Sequence, residues 1–202
     1  MTRAFVALTL DDAIRAALGH QIERLRPLSR AVAWVPAQNL HVTLKFLGDQ
    51  SDRRLADAVE ALDEAVEAIA PFDLALRGLG AFPGMERPRI FWVGAAEGVL
   101  QVRALQATVD AALQRRGFPA DTRPWHPHLT IGRVFDPRRW RRETSPHLRE
   151  ALAHAAATGF GSLPVARVML MRSDLSPSGA RYQELRAADL LTRRGGSAAA
   201  PP

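Results

Sequence analysis

The chain has 202 residues, a formal net charge of +6 and no cysteine. Its length suits one ordinary domain or two small ones, and 47% apolar with 24% charged residues is typical of a globular rather than a disordered protein. The lack of cysteine excludes disulfides and thiolate metal sites, and no apolar run resembles a transmembrane helix or a signal peptide. We therefore expect a soluble cytoplasmic protein.

Arginine supplies the basic character, because Lys45 is the only lysine among 27 basic residues. The planar guanidinium group suits phosphate, so a polyanionic partner such as RNA is compatible with this composition. A genome-wide preference for Arg and Ala codons explains the same excess. Charge alone therefore favours a nucleic-acid partner only modestly.

Strand and helix patterns alternate along the chain. Strands are predicted where short apolar runs end at turn residues, and helices where apolar residues recur at helical spacing behind a cap. In chain order we predict a strand at 3–10, a helix at 11–25, strands at 31–36 and 40–47, a helix at 51–70, strands at 72–82 and 87–96, a helix at 98–117, a strand at 128–133 after a loop at 118–127, a helix in the second half of 136–157, and strands at 162–175 and 180–190. This order predicts an α+β fold of two intertwined lobes, each with an antiparallel sheet, in one domain at 1–190. The low-complexity residues 191–202 are predicted to be a disordered tail.

One short pattern occurs twice. HVTL begins at His41, and HLTI begins at His128, each within a predicted strand. Side chains alternate between the faces of a strand, so each histidine shares a face with the threonine two residues later. We predict that Thr43 and Lys45 follow His41 on one face, while Val42, Leu44 and Phe46 pack into the core.

Two imidazoles suit acid–base chemistry at phosphorus. Histidine titrates near neutrality, so one ring can take a proton from the attacking oxygen while the other gives one to the departing oxygen. The hydroxyls of Thr43 and Thr130 can each donate to a phosphate oxygen. This scheme requires no metal and no other cofactor. A single such motif is a weak signal, whereas two copies on strands predict catalytic phosphodiester chemistry.

Metal binding is the competing interpretation of the second motif. His126 and His128 form an H-x-H pair with ligand-like spacing. However, Pro127 interrupts the pair, and His41 would have to complete the site without carboxylate or cysteine ligands. The pattern therefore favours proton transfer over a metal site.

The two motifs, their flanking residues and the chain ends resemble a known family. HVTLKFLG and PHLTIGR, the N-terminal strand RAFVAL and the C-terminal LSPSGARYQEL resemble the two-histidine phosphoesterase superfamily. Within it, the chain is most similar to the bacterial and archaeal RNA 2′,3′-cyclic phosphodiesterases, long labelled 2′-5′ RNA ligases. The resemblance covers residues 3–185. It implies a bilobal, pseudo-twofold α+β fold, in which two antiparallel sheets flank a central cleft and the helices lie outside.

The resemblance also implies a reaction. It is the metal-independent hydrolysis of a terminal ribose 2′,3′-cyclic phosphate to a 2′-phosphomonoester, with His41 and His128 as catalytic residues and Thr43 and Thr130 as phosphate ligands. We expect His41 to be the acid and His128 the base. The implied partners are RNA ends with a cyclic phosphate or small cyclic nucleotides; no membrane and no obligate protein partner is predicted.

Further residues are candidates for the same site, each with a structural alternative. Family members often carry an arginine at the place of Arg133, which reaches the site face only if the strand bulges near Gly132; otherwise it is a solvent arginine. Phe5 and Tyr182 are expected to line the cleft or stack on a base, or simply to lie in the core. Lys45 either adds positive potential to the cleft or faces solvent. His126 either tunes the pKa of His128, contacts the RNA backbone, or has no role.

Three further features lie outside the two motifs. The cluster Arg138, Arg139, Arg141 and Arg142 with Trp140 is a candidate RNA-backbone strip, although a solvated charged loop is the commoner meaning of such a run. Trp92 is predicted to pack among apolar neighbours. Ser176 and Ser178 either contact a nucleotide or only form the SPSG turn.

Two other functions use the same residues. The first is 2′-5′ RNA ligation, which is the chemical reverse of the hydrolysis on the same site. The second is a non-catalytic module that binds RNA ends in a basic cleft with strong dependence on salt. An intact histidine and threonine in both motifs favours catalysis, since binding alone requires no acid and base pair.

Overall fold

The computed structural model describes residues 1–176 and 179–191. Within them the chain forms nine strands and five α-helices. The strands are β1 (Thr2–Thr9), β2 (Val32–Trp34), β3 (His41–Gln50), β4 (Phe72–Phe82), β5 (Ile90–Ala95), β6 (His128–Val134), β7 (Gly159–Val165), β8 (Arg167–Ser176) and β9 (Gly179–Asp189); the helices are α1 (Asp12–Leu25), α2 (Asp52–Val66), α3 (Val99–Arg115), α4 (Pro137–Glu143) and α5 (Pro146–His154). The α+β class is confirmed. Of the predicted tail, residues 192–202 lie outside the described residues.

The described strands form one antiparallel sheet. Its order is β7-β4-β5-β6-β3-β1-β8-β9, and β2 pairs with β6 beside this path. The two halves of the path meet at β3 and β6, which share a single residue pair, Val42 with Leu129. The prediction of two separate sheets is therefore not confirmed: the motif strands are neighbours in one sheet, joined at one point.

Most element predictions are confirmed, with two differences. The run predicted as one strand at 162–175 is two strands, because the chain leaves β7 at Ala166 and β8 crosses to pair with β1 at the other end of the sheet. The arginine-rich segment predicted as irregular forms α4, where the side chain of Asp136 accepts hydrogen bonds from the first-turn N–H groups of Arg138 and Arg139. No helix in the described ranges has the length and apolarity needed to cross a bilayer.

One continuous core lies between the helices and the sheet. α2 packs against α3, and together they contact β3, β4, β8 and β9, while α1 contacts β7 and α5 contacts β4. Phe91 of β5 is a central member: its side chain is fully buried and its ring lies 5.8 Å from Trp34 and 5.4 Å from Trp140. These aromatic contacts fix β5 against β2 and α4.

We expect Phe91→Ala to lower the free energy of unfolding by about 3–5 kcal/mol, because the change opens a cavity between two indole rings. Leu100→Ala is the matched control, since Leu100 is 79% exposed, and its effect should stay within about 0.5 kcal/mol. Urea denaturation of both variants measures the difference. Equal effects would contradict the assignment of Phe91 to the core.

Candidate functional site

The four motif side chains meet where β3 joins β6. The antiparallel pair of Val42 with Leu129 places His41 opposite Thr130, and Thr43 opposite His128, all on one face. We call this the site face of the sheet. Each histidine is thus a neighbour of two threonines, one along its own strand and one across, and the two imidazoles stand on a diagonal.

A bulge follows the threonine in each motif strand. In β3 the pairing with β1 runs from Ala7–Thr43 to Val6–Lys45, so Leu44 is the extra residue. In β6 the pairing with β5 runs from Trp92–Thr130 to Phe91–Gly132, so Ile131 is the extra residue. Leu44 and Ile131 are both buried. Each bulge reverses the alternation of side chains beyond it.

The bulges decide which later residues reach the site. Arg133 faces the site through the bulge at Ile131, as its predicted role requires, and lines cavities on both sides of the motif residues. On β3 the prediction was wrong for two residues. Phe46, predicted in the core, is 65% exposed and lines the same cavities, whereas Lys45, predicted on the site face, is 2% exposed. Simple alternation fails here because it assumes an unbroken pleat.

Both imidazoles are held in the same way. Nδ1 of His41 lies 2.8 Å from the carbonyl oxygen of Asn39, and Nδ1 of His128 lies 2.8 Å from the carbonyl oxygen of His126. A carbonyl only accepts, so each Nδ1 carries the proton and donates it. Nε2 of each ring is left to exchange protons with a bound molecule.

Burial is the main electrostatic influence on these histidines. It lowers the pKa of both His41 and His128, while the hydrogen bond to a carbonyl raises the pKa of each ring and Arg133 lowers it. Each ring also has a histidine neighbour that lowers its pKa: His128 acts on His41, and His126 acts on His128. Arg133 therefore lies within electrostatic reach of both catalytic candidates.

Two cavities adjoin the motif residues. One has a volume of about 520 Å³ and lies beside His41, and the other has a volume of about 580 Å³ and lies beside His128. They share Thr43, Phe46, Thr130 and Arg133 in their walls. The threonines and the arginine thus stand between two spaces, which is the arrangement that a phosphate group with substituents on either side requires.

Aromatic side chains surround each histidine differently. The Phe5 ring lies 4.8 Å from that of His41, and the Tyr182 ring lies 5.3 Å from it, edge-on. On the other side, Phe82 lies edge-on to His128 at 5.3 Å. Phe5 and Tyr182, expected to line the cleft or to lie in the core, both line the cavity beside His41, and Phe5 is almost fully buried. Phe82 was missed, since its strand pattern carries no sign of its partner.

Residues 11–176 match the model of the 2′-5′ RNA ligase superfamily. The chain belongs to this superfamily. The RNA 2′,3′-cyclic phosphodiesterase of Methanothermobacter thermautotrophicus is 32% identical to it over 183 residues, which cover 91% of this chain and 96% of the relative. The RNA 2′,3′-cyclic phosphodiesterase of Archaeoglobus fulgidus is 33% identical over 184 residues, covering 91% and 98%. The family resemblance drawn from the motifs is confirmed.

Two solved structures share the fold of this chain. TT0787 of Thermus thermophilus matches with a TM-score of 0.72 and 33% identity, covering 93% of this chain and 97% of that one. LigT of E. coli in complex with 3′-AMP matches with a TM-score of 0.73 and 25% identity, covering 95% and 99%. The fold therefore agrees over almost the whole length of both structures.

Lys45 is buried rather than solvent-exposed, and it joins the wall of the cavity beside His128 with its charge paired. Its ammonium group forms a buried ion pair with Asp110 of α3, and a second contact of 3.8 Å reaches Asp121. The charge is therefore neutralised beneath the site face. Lys45 instead connects β3 to α3 and to the loop before β6.

The loop at 118–127, which we call the approach loop, carries His126 to the site. His126 is exposed, lines the cavity beside His128, and lies with its ring 6.4 Å from Phe82. Trp125, one residue earlier, donates from Nε1 to the carbonyl oxygen of Thr43 at 3.1 Å. This bond was not predicted. It joins the loop of the second motif to the strand of the first.

The arginine cluster lies away from the site. Trp140 of α4 is buried against Phe91. Phe91 precedes Trp92 in β5, and Trp92 pairs with Thr130, so alternation puts Phe91 on the other face of the sheet from the site. The expected aromatic of the RNA strip is therefore a core residue, and α4 covers the back of the sheet. Trp92 packs across Gly80 and Phe82, as predicted. Ser178 lies outside the described residues, and Ser176 donates to the carbonyl oxygen of Gly179 at 2.8 Å.

The donor set around the motifs offers little to a metal ion. Within the described ranges, no three histidine, aspartate or glutamate side chains converge as a ligand group. His126 and His128 stand close together, but carboxylates such as Asp110 and Asp121 are engaged with Lys45. The chemistry of the site therefore depends on imidazole, hydroxyl and guanidinium groups.

We expect Arg133→Gln to raise the pKa of both His41 and His128, because it removes a cation that disfavours both imidazolium forms. NMR titration of the imidazole Cε1–H signals measures both values in one sample. Arg138→Gln, on the far side of the sheet, should leave both values unchanged. A shift in one histidine alone would contradict a position of Arg133 near both rings.

Proposed function

We propose that this chain hydrolyses the 2′,3′-cyclic phosphate at the end of RNA to a 2′-phosphomonoester. The observation that carries the proposal is the pair of imidazoles that each bond a backbone carbonyl through Nδ1, which leaves Nε2 as the nitrogen for proton exchange, with a threonine beside each. Such a pair suits a reaction that needs one proton removed and one delivered at the same phosphorus atom.

In the proposed reaction a water oxygen attacks phosphorus and the P–O3′ bond breaks. Nε2 of His128 accepts the proton of the water, and protonated Nε2 of His41 gives its proton to O3′. The products are a 2′-phosphate and a 3′-hydroxyl, and proton exchange with solvent restores both rings. This assignment places the ribose beside Phe5 and Tyr182, where two aromatic rings flank His41.

The phosphate itself is proposed to rest on Thr43, Thr130 and Arg133. Two hydroxyls donate to the non-bridging oxygens, and the guanidinium group balances the charge that builds up on them during attack. Binding of an anion also offsets the effect of Arg133 on the histidines, so the acid is more readily protonated once substrate is bound. No step in this scheme uses a metal ion.

The relatives support this choice of reaction. Those from Methanothermobacter thermautotrophicus and Archaeoglobus fulgidus are both named RNA 2′,3′-cyclic phosphodiesterase and are matched over nearly their whole length. Ligation of 2′-5′ RNA ends uses the same groups in the reverse direction, and hydrolysis is favoured because water is far more abundant than a second RNA end. A module that only binds RNA ends has no use for two oriented imidazoles.

We also propose that the two halves of the sheet are lobes of one domain, residues 1–190, related by a pseudo-twofold axis through the Val42–Leu129 pair. The halves correspond in detail: each motif has a carbonyl bond to the histidine, a bulge after the threonine, and a site-facing residue beyond the bulge. Phe46 and Arg133 occupy these equivalent places. The symmetry ends at this place, because the half with β3 supplies the aromatic ring of Phe46 and the half with β6 supplies the cation of Arg133.

Replacing either histidine should stop the reaction without unfolding the protein. We expect His41→Ala and His128→Ala each to lower turnover of a nucleoside 2′,3′-cyclic phosphate by about two to four orders of magnitude. His20→Ala is the control, because His20 is an exposed residue of α1, and it should retain full turnover. Circular dichroism checks the fold. Retained activity in either site variant would refute the proposal.

The pH profile, the product and the response to EDTA test the details. The base must be neutral and the acid protonated, so activity should fall at both low and high pH. The product should be the 2′-phosphate, resolved from the 3′-isomer by phosphorus NMR, and turnover should persist in EDTA. Formation of the 3′-phosphate would reverse the proposed leaving group, and loss of activity in EDTA would replace the metal-free scheme.

A further inference from the structure

The carbonyl groups that hold the two imidazoles lie outside the sheet ladder. One belongs to Asn39, at the end of the short 3-10 turn Ala37–Asn39, and the other to His126 in the approach loop. Within the described chain, residues 119–127 make no backbone–backbone hydrogen bond of their own. Something other than regular secondary structure must fix the direction of these carbonyls.

In the approach loop, the contact that fixes the carbonyl of His126 comes from Trp125. Its indole N–H donates to the carbonyl oxygen of Thr43 at 3.1 Å, on the edge of β3 beyond the single pair with β6. The next residue, His126, precedes Pro127, and a residue before proline is restricted to extended backbone. Fixing Trp125 therefore leaves the carbonyl of His126 little freedom. The 3.8 Å contact of Asp121 with Lys45 ties the same loop to β3 at a second point.

Near the first motif, one residue, Asn39, both supplies the carbonyl that holds the histidine and anchors that carbonyl through its own side chain. Its carbonyl oxygen lies 2.8 Å from Nδ1 of His41, and its side-chain amide donates to the carbonyl oxygen of Ala180 in β9 at 2.7 Å. The amide bond ties the 3-10 turn to the strand that carries Tyr182. The carbonyl beneath each histidine is thus anchored by a side chain that reaches a backbone oxygen of another strand.

We propose that Trp125 and Asn39 are positioning residues, each of which fixes the carbonyl acceptor of one histidine: Trp125 for His128 and Asn39 for His41. The assignment of catalytic use to the two rings rests on the proposed function, but the anchoring does not. Each anchor keeps the proton of its imidazole on Nδ1 and Nε2 toward the phosphate. Without the anchor, the carbonyl moves and the ring is free to change tautomer.

The loop that leads to the second motif is held by the backbone of the first motif. Trp125 binds the backbone of Thr43, whose side chain stands across from His128. A displacement of Thr43 is therefore transmitted to the carbonyl that orients His128. The segment before the first motif also reaches the strand of the second, because the backbone N–H of Val35 donates to the carbonyl oxygen of Ile131 at 2.9 Å, but Asn39 itself is anchored to β9.

Trp125→Phe tests the anchor of His128, since it keeps an aromatic ring and removes the N–H donor. We expect nitrogen NMR of the free protein to show His128 as a mixture of tautomers with a lowered pKa, because the carbonyl bond raises that value. The tautomer of His41 should not change. Turnover should fall about tenfold, the worth of one hydrogen bond, with little change in KM.

Asn39→Ala should give the opposite result, disturbing His41 and sparing His128. Trp92→Phe is the matched control: its Nε1 is buried without a hydrogen-bond partner in the described structure, so its loss should leave the tautomer of His128 unchanged. No variant replaces a titratable or charged neighbour of either ring. Arg133 and His126 act on the pKa of His128, Arg133 and His128 act on the pKa of His41, and the Tyr182 ring lies 5.3 Å from that of His41.

Two results would overturn the proposal. One is an unchanged tautomer and pKa of His128 in Trp125→Phe, and the other is an equal disturbance of both rings by either variant. If Trp125→Phe does not fold, benzothienylalanine at position 125 keeps the shape of the ring and lacks the N–H. The NMR readout needs no substrate, so it stands apart from a failure of the phosphodiesterase assay.

Discussion

The site depends on a single antiparallel residue pair. Among the residues that the structure describes, Val42 and Leu129 are the only point at which β3 and β6 pair, and both side chains are buried. This pair brings two distant parts of the sequence to one face and sets each histidine across from the threonine of the other motif. On either side of the pair the strands turn to other partners: β6 to β2, and β3 to the side chain of Trp125.

The bulges change which side chains reach the site without opening the core. A regular strand that put His41 and Thr43 on the site face would also put Lys45 there and Phe46 inside. The extra residue Leu44 reverses this order, and its carbonyl, which leaves the regular ladder, faces the side chain of Gln106 of α3 at 3.5 Å. The same device in β6 turns Arg133 outward. Local irregularity in two strands thus supplies the residues between the two cavities.

The motif residues and most elements could be predicted because they follow local rules. His41, Thr43, His128 and Thr130 lie in short runs with the period of a strand, and caps such as Ser51 mark where helices begin. The predictions that failed depend on contacts between residues far apart in the sequence. Lys45 is buried because Asp110, in a helix far along the chain, neutralises it. No pattern in β3 records that partner.

The surroundings break the symmetry that the two motifs establish. His41 lies between Phe5 and Tyr182, with its carbonyl acceptor tied to β9, whereas His128 lies beside Phe82, with its acceptor in a loop tied to β3. Arg133 disfavours the charged form of both rings, so it cannot by itself decide which one is the acid. In the proposed reaction the division of labour therefore comes from where the ribose binds, because the ring nearest O3′ is the one that can protonate it.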